Sequence, residues 1–311
     1  MFTNKNYVLT IYREGSFSNA AKKLYISQPS LSASVKRIEE KIGVPIFDRS
    51  TTPVSLTEVG QEYVKYALSF EEKEQDFARY IGDYANFLTG SVRIGGSSLF
   101  SSFMLPGMIS SFNQKYPNIR FEIFEDNTKT LLEKLSLGEL DLIIDNTMID
   151  DEATEATICS SETILLSVPK SFTVNESLKN YRLSADDIKN GVHKDNAYSV
   201  SLKKFSSYPF ILLHSENDTG KRALQLFKKH HINPNVAFFL DQQVTSYNIS
   251  STGMGISFVS DILIREMETG SSLYYYRLQD KEIERNIYFY KKKAHYLSQA
   301  CQKFIEINAG K

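Results

Sequence analysis

Cysteine is scarce in this sequence: Cys159 and Cys301 are the two present in 311 residues. Two thiols make no disulfide framework, and no CxxC pair or Cys/His cluster suggests zinc. They read either as isolated structural thiols or as a redox pair. Long apolar runs are also missing. No stretch approaches the roughly 18 apolar residues of a membrane helix, and the opening MFTNKNYVLTIYREG is too polar for a secretory signal, so a cytoplasmic protein without a membrane partner is expected. Catalytic signatures are absent as well, since no GxSxG, HExxH, Walker A or GxGxxG occurs. The histidines, His193, His214, His230, His231 and His295, fall at no catalytic or metal-binding spacing, and His230 and His231 diverge on an expected helix. Neither enzyme activity nor a cofactor or metal is expected.

What is present is ordinary in amount and uneven in distribution. Hydrophobic residues make up 41% and charged residues 23%, which excludes the composition of disorder, and the length calls for two or three domains. Residues 1 to 57 hold eight Lys/Arg against four Asp/Glu, whereas the whole chain has a net charge of -1. A small basic module on a larger acidic body suggests a polyanion at one end.

The stretch SNAAKKLYISQPSLSASVKRIEEKIG, residues 18 to 43, reads as two short helices around a polar turn. Ser18 is placed to cap the first, over about residues 19 to 25, and Ala20 and Ala21 let a second helix approach closely. Ser27 is placed to cap the next, with Pro29 tolerated in its first turn. There Leu31, Val35, Ile38 and Ile42 form one apolar stripe. The opposite face carries Pro29, Ala33, Lys36, Arg37 and Glu40, with Gln28, Ser30 and Ser32 near its start. Such a helix suits the DNA major groove, its N-terminal end at base edges and its cations on phosphates. A helical hairpin with a solvated charged face has the same local pattern.

Residues 15 to 64, GSFSNAAKKLYISQPSLSASVKRIEEKIGVPIFDRSTTPVSLTEVGQEYV, closely resemble the N-terminal winged helix-turn-helix of LysR-type transcriptional regulators. The matching elements are GSF, AAKKL, SQPSLS, KRIEEKIGVPIFDR and SLTEVG, in the family's order and spacing. Gly43 fits a C-cap, and STTPVS a wing with Leu56 on its return strand. Arg49 is placed on a phosphate near that wing; a salt bridge with a neighbouring carboxylate is the alternative. The resemblance makes Ser18, Ser27, Gln28, Pro29, Ser30, Ser32, Ala33, Lys36, Arg37, Arg49, Thr51 and Thr52 candidate DNA contacts. Many relatives carry arginine where Ala33 stands, and a basic wing where Thr51, Thr52 and Pro53 stand. Ala33 packs on a thymine methyl but makes no bidentate contact to guanine, so an A/T-richer half-site is expected.

Residues 58 to 88 contain no proline and place Val59, Tyr63, Tyr66, Phe70, Phe77, Tyr80, Ile81 and Tyr84 mostly three and four apart, as in a long amphipathic helix. In the resembled family it is the dimerisation linker; packing on the chain's own body is the alternative. Thr89, Gly90 and Ser91 mark its end.

Beyond Ser91, the strand-like runs SVRIGG, RFEIFE, DLIID, TILLSV, FILLHS, VAFFLD, GISFVS, SLYYYRL and NIYFYK alternate with helical ones. This predicts α/β units with mostly parallel sheets. The resemblance implies the two-subdomain effector-binding fold shared with periplasmic binding proteins. The expected fold is thus α+β and α/β: a winged helix-turn-helix (1–57), a linker helix (58–90) and an effector-binding domain (91–311). Its subdomain I spans about 91–163 and 270–311 and subdomain II about 164–269, with crossovers near 162 to 168 and 265 to 275. The segment from Lys170 to Tyr208 exceeds the family's usual connection.

Small polar residues cluster at the strand ends, where ligands of open sheets bind. Ser97, Ser98, Thr128, Asn146, Thr147 and Thr219 are candidate effector contacts, of which the resemblance implies Ser97, Thr128, Thr147 and Thr219 by position; each of these also reads as an ordinary N-cap. They suit a small polar or anionic metabolite. The resemblance implies a ligand-responsive transcription regulator, a homodimer or homotetramer on a partly palindromic double-stranded operator, and admits RNA polymerase as a further partner. A solute-binding or transport component is the competing class, and the N-terminal module counts against it.

Overall fold

The structure, a computed structural model, describes residues 2–85, 90–267, 272–293 and 296–310. The expected helix end at 86 to 88 with Thr89, the subdomain boundary at 270, the side chain of Tyr84 and His295 lie outside what is described. The chain divides into two compact units, Met1–Ile81 and Gly82–Lys311.

In the first unit, α1 (Lys5–Glu14), α2 (Phe17–Lys23) and α3 (Gln28–Ile42) precede a two-stranded wing, β1 (Phe47–Asp48) and β2 (Ser55–Leu56), and the long α4 (Glu58–Ala85). Ser16 caps α2, its hydroxyl accepting from the Asn19 N–H. Ser18 therefore lies inside the first turn, and the capping role read for it moves two residues upstream. Ser27 caps α3 as expected, accepting from the Ser30 N–H at 3.3 Å. Gly43 ends that helix at φ 88°, a left-handed geometry that glycine adopts without a steric cost.

The stripe on α3 faces inward. Leu31, Val35 and Ile38 are buried with Val8, Leu9, Ile11, Ala20 and Ala21, and Ile42 packs at the edge. Each large apolar side chain so buried contributes about 1.5–3 kcal/mol. Tyr63, Val64 and Ala67 of α4 belong to the same core. Lys5 reaches Glu74 and Arg13 reaches Glu71, both at 2.8 Å. The first half of α4 is thus part of the head, and the boundary expected at 57 falls later because these turns complete its core. At Gly60 a Cβ would meet the Ile46 carbonyl oxygen at 2.0 Å, so only glycine lets α4 lie this close to the start of the wing.

The second unit is built on one ten-stranded sheet. In chain order come β3 (Gly90–Gly96), α5 (Ser98–Phe103), α6 (Leu105–Asn113), β4 (Ile119–Glu125), α7 (Thr128–Ser136), β5 (Leu142–Asp145) and the sixteen-residue β6 (Thr154–Pro169). Then follow α8 (Val174–Ser177), α9 (Ala185–Lys189), β7 (Ser199–Val200), β8 (Pro209–Leu213), α10 (Asp218–Lys229), β9 (Asn235–Leu240) and α11 (Gln243–Ser251). The unit closes with β10 (Ile256–Ser260), α12 (Asp261–Glu266), β11 (Leu273–Leu278), β12 (Glu284–Lys292) and α13 (Gln299–Asn308).

The sheet is mixed rather than mostly parallel. β3 pairs in parallel with β4 and β5, and β8 with β9 and β10, but β12 runs antiparallel to β5 and β6, and β10 and β11 antiparallel to β6. β6 serves both halves, pairing with β12 through Thr163 and with β10 from Ile164. The first crossover therefore falls inside the expected 162 to 168. The second does not lie at 265 to 275: β11 still pairs with the later half of β6, and the chain returns between β11 and β12, after Leu278. SLYYYRL is accordingly a strand of the second half, and the subdomain limits of 164–269 and 270–311 shift with it. The long segment from Lys170 holds α8, α9 and β7, the last pairing with β11. Among the described residues, no helix is long and apolar enough to cross a membrane.

Candidate functional site

In the first unit the outward side of α3 is a continuous polar surface. Gln28, Pro29, Ser30, Ala33, Lys36, Arg37 and Glu40 are exposed, because the inward stripe fixes the helix rotation. Lys36 is 73% exposed and its contact with Glu40 is 3.9 Å long, a pair too loose and solvated to tie it down. Ser18 is exposed on α2. Tyr25, in the turn before α3, is 95% exposed with φ 55°. A tyrosine in the polar turn YISQPS is the sequence signal for this surface group.

Arg49 takes the alternative arrangement weighed for it. Its Nη2 pairs with Glu39 at 3.2 Å, its Nη1 donates to Ser32 Oγ at 3.1 Å, and its guanidinium lies over the Phe17 ring at 4.8 Å. It braces the wing against α2 and α3 and holds Ser32. In the wing, Thr51 Oγ1 donates to Ser55 Oγ at 2.8 Å and accepts from the Ser55 N–H at 3.0 Å, which engages it within the hairpin, while Thr52 is exposed.

In the second unit a cavity of about 740 Å³ opens at the carboxyl ends of β3, β4, β5, β8 and β9, the position where open α/β sheets take ligands. Ser97, Thr128, Asn146 and Thr147 line it, as do Asp145, Asp218, His214 and Gln242. Thr128 Oγ1 donates to Asp145 Oδ2 at 2.8 Å, and the Thr147 N–H donates to Asp145 Oδ1 at 2.7 Å. Burial pushes the Asp145 carboxyl above the ordinary aspartate value, those hydrogen bonds opposing it. Ser98 does not line the cavity; its hydroxyl donates to Gln242 Oε1 from the other half of the sheet.

Thr219 is the expected contact that the fold withdraws. It is 2% exposed, and its hydroxyl accepts from Gln243 Nε2 at 2.7 Å and Arg285 Nη2 at 3.0 Å. It does follow the end of β8, but the first turn of α10 points this side chain inward. Behind it lies a charged cluster with no local sequence signature. Arg285 on β12 donates to Glu162 on β6 at 2.7 Å and to Asp218 on α10 at 2.6 Å. Burial alone would lower the guanidinium pKa; Glu162 and Asp218 overcome this and raise it. Glu162 also accepts from Ser260 Oγ and, at 2.7 Å, from Asn146 Nδ2. Asn146 therefore joins the cavity wall to this cluster, which spans both halves of the sheet.

His193 pairs with Asp261 at 3.0 Å in the interior and His230 with Asp280 at 2.9 Å. No group of three or more His, Cys, Asp or Glu side chains able to hold a metal occurs among the described residues. Cys159 and Cys301 are 0% and 1% exposed.

Residues 4–61 match the family described as bacterial regulatory helix-turn-helix protein, lysR family, and residues 85–309 match the LysR substrate binding domain. The chain is 26% identical over 304 residues to YcgK of Bacillus subtilis, an uncharacterised HTH-type transcriptional regulator, covering 97% of this chain and 92% of that one. It is 28% identical over 301 residues to a probable RuBisCO transcriptional regulator of Trichormus variabilis, covering 94% and 82%. Among solved structures, a full-length OxyR variant from Pseudomonas aeruginosa superposes with a TM-score of 0.73 at 20% identity, over 98% of this chain and 93% of that one. CbnR, crystallised at full length with its target DNA, gives 0.65 at 16% identity, over 99% and 98%.

Proposed function

The chain belongs to the LysR family, DNA-binding transcription regulators with an effector-binding domain, and from that premise we propose how each unit carries its part. Helix α3 enters the major groove, with Gln28, Pro29, Ser30 and Ala33 at base edges and Lys36 and Arg37 on phosphates. The observation that carries this is the division of α3 into a buried stripe, Leu31, Val35 and Ile38, and an exposed opposite face. Ser27 fixes the helix start. Ser18, Tyr25 and Thr52 meet the DNA backbone, while Thr51 shapes the wing and Arg49 positions Ser32.

One head covers a half-site. Tyr66, Phe70, Phe77, Tyr80 and Ile81 leave an exposed apolar edge on α4, and this edge pairs with a second copy. A homodimer or homotetramer then reads a partly palindromic operator, the two binding events adding at high effective concentration. The solved CbnR complex with its target DNA supports a DNA-bound assembly of this kind, and a partner of duplex DNA makes the cytoplasm the site of action. A small polar metabolite in the cavity, touching Ser97, Thr128, Asn146 and Thr147, favours one arrangement of the two halves and so alters transcription by shifting a population.

Selection of bound duplexes from a random pool by the full chain tests the assignment. A partly palindromic site with A/T-rich half-site centres is expected, and Ala33→Arg should move preference toward guanine by about 1–3 kcal/mol at one position. A G/C-centred site for the unaltered chain contradicts the role given to Ala33. Enrichment of no duplex overturns the DNA assignment itself.

A further inference from the structure

We propose that the cavity is built for a small organic cation, an amine or guanidine, rather than for a carboxylate or phosphate. The inference rests on the reading of this cavity as the effector site and names the ligand class.

Negative charge is left over on the walls. Glu125, Glu216 and Asp241 line the cavity, are exposed, and form no ion pair among the described residues. Asp126 is balanced by Lys134 at 3.3 Å, and Asp218 by Arg222 and Arg285, each at 2.6 Å. Against the three unbalanced carboxylates and Asp145 stands Lys129, the one lysine or arginine among the lining residues. Walls of one sign concentrate ligands of the opposite sign.

Several groups that would bind an anion here are already engaged. Arg285 is the cation best placed to anchor a carboxylate from behind the wall, but its side chain is 2% exposed and its donors go to Glu162, Asp218 and Thr219. Two of the helix N-termini that would offer backbone N–H groups carry their own acceptors, Asn127 Oδ1 taking the Thr130 N–H at 3.0 Å on α7 and Asn217 Oδ1 taking the Thr219 N–H at 2.9 Å on α10, whereas those of α5 and α11, which begin beside Ser97 and Gln242, have no side-chain cap. The Thr128 hydroxyl gives its proton to Asp145, so it presents lone pairs to the cavity. An ammonium donates to such a group; a carboxylate is repelled by it.

A thiol placed on the wall reads this charge without knowledge of the natural ligand. Ser97→Cys in the full chain supplies it, since Ser97 lines the cavity and the native thiols are buried. The trimethylammonioethyl, sulfonatoethyl and uncharged methyl methanethiosulfonates are reacted with it, each rate divided by that for a free thiol. The cationic reagent should be favoured over the anionic one by about tenfold or more at low salt. That ratio should shrink as salt is added and approach one when Glu216→Gln and Asp241→Asn are introduced. A ratio at or below one in the Ser97→Cys chain overturns the cation assignment while the open cavity stands. If the uncharged reagent reacts no faster than with a buried thiol, the cavity is closed at that wall and the effector-site reading falls together with the charge assignment.

Discussion

The two units handle charge in opposite ways. In the head Lys36 stands 73% exposed with a carboxylate 3.9 Å away, a contact worth at most a fraction of a kcal/mol in water. In the body Arg285 is 2% exposed between Glu162 and Asp218 at 2.7 and 2.6 Å. A loosely held surface cation is free to take a new anionic partner, whereas a buried, fully bonded one is not. The first arrangement suits binding of a polyanion, and the second suits tying two halves of a sheet together.

The largest effect that would break this contrast is on stability. Arg285→Met strands the buried Glu162 and leaves Asp218 with Arg222 alone, so urea unfolding of the body should lose about 3–5 kcal/mol. A loss near zero would mean that Arg285 is as dispensable to the fold as a surface lysine. In the head, Ser27→Ala removes the acceptor for the Ser30 N–H and should cost about 1 kcal/mol. It should weaken DNA binding further by fraying the end of α3, which band-shift titration with a half-site duplex would measure.

The smallest effect concerns Asp145 and has a definite sign. Its pKa is raised in the folded state, so its contribution is fully present below the ordinary aspartate value of 3.8 and is lost as pH rises through the folded value. Asp145→Asn keeps a neutral acceptor for the Thr147 N–H, and its amide NH2 can donate to the Thr128 hydroxyl oxygen in place of accepting from it. The variant should therefore gain on the unaltered chain as pH rises from 3.8 toward neutrality, then level off. Thermal unfolding across that range checks it, and a variant that loses ground with rising pH contradicts the burial argument.

The same contrast explains what the sequence revealed. The head was legible because its signals are local: the spacing of Leu31, Val35, Ile38 and Ile42 set the rotation of α3, and Ser27 and Gly43 set its ends. Even there Ser16 displaced Ser18 as the cap of α2, since two serines two residues apart offer the same local signal. The strand ends of the body were legible too, and Ser97, Thr128, Asn146 and Thr147 do line the cavity. Its electrostatics were not. Arg285 meets Glu162 across 123 positions of sequence, and the unbalanced carboxylates come from the end of β4 and from two separate connections, so no window contains the pattern. The second crossover was misplaced for a related reason: SLYYYRL and NIYFYK are similar apolar strands, and only their pairing with different parts of β6 tells them apart.

The central claim is that exposed cations on the outer face of α3 hold the DNA backbone. Its most direct test is the salt dependence of operator binding by the full chain and by Lys36→Ala. The slope of log affinity against log salt should become shallower by about one for each head bound, with sequence preference unchanged. An unchanged slope would contradict the claim and leave Lys36 an ordinary solvated charge.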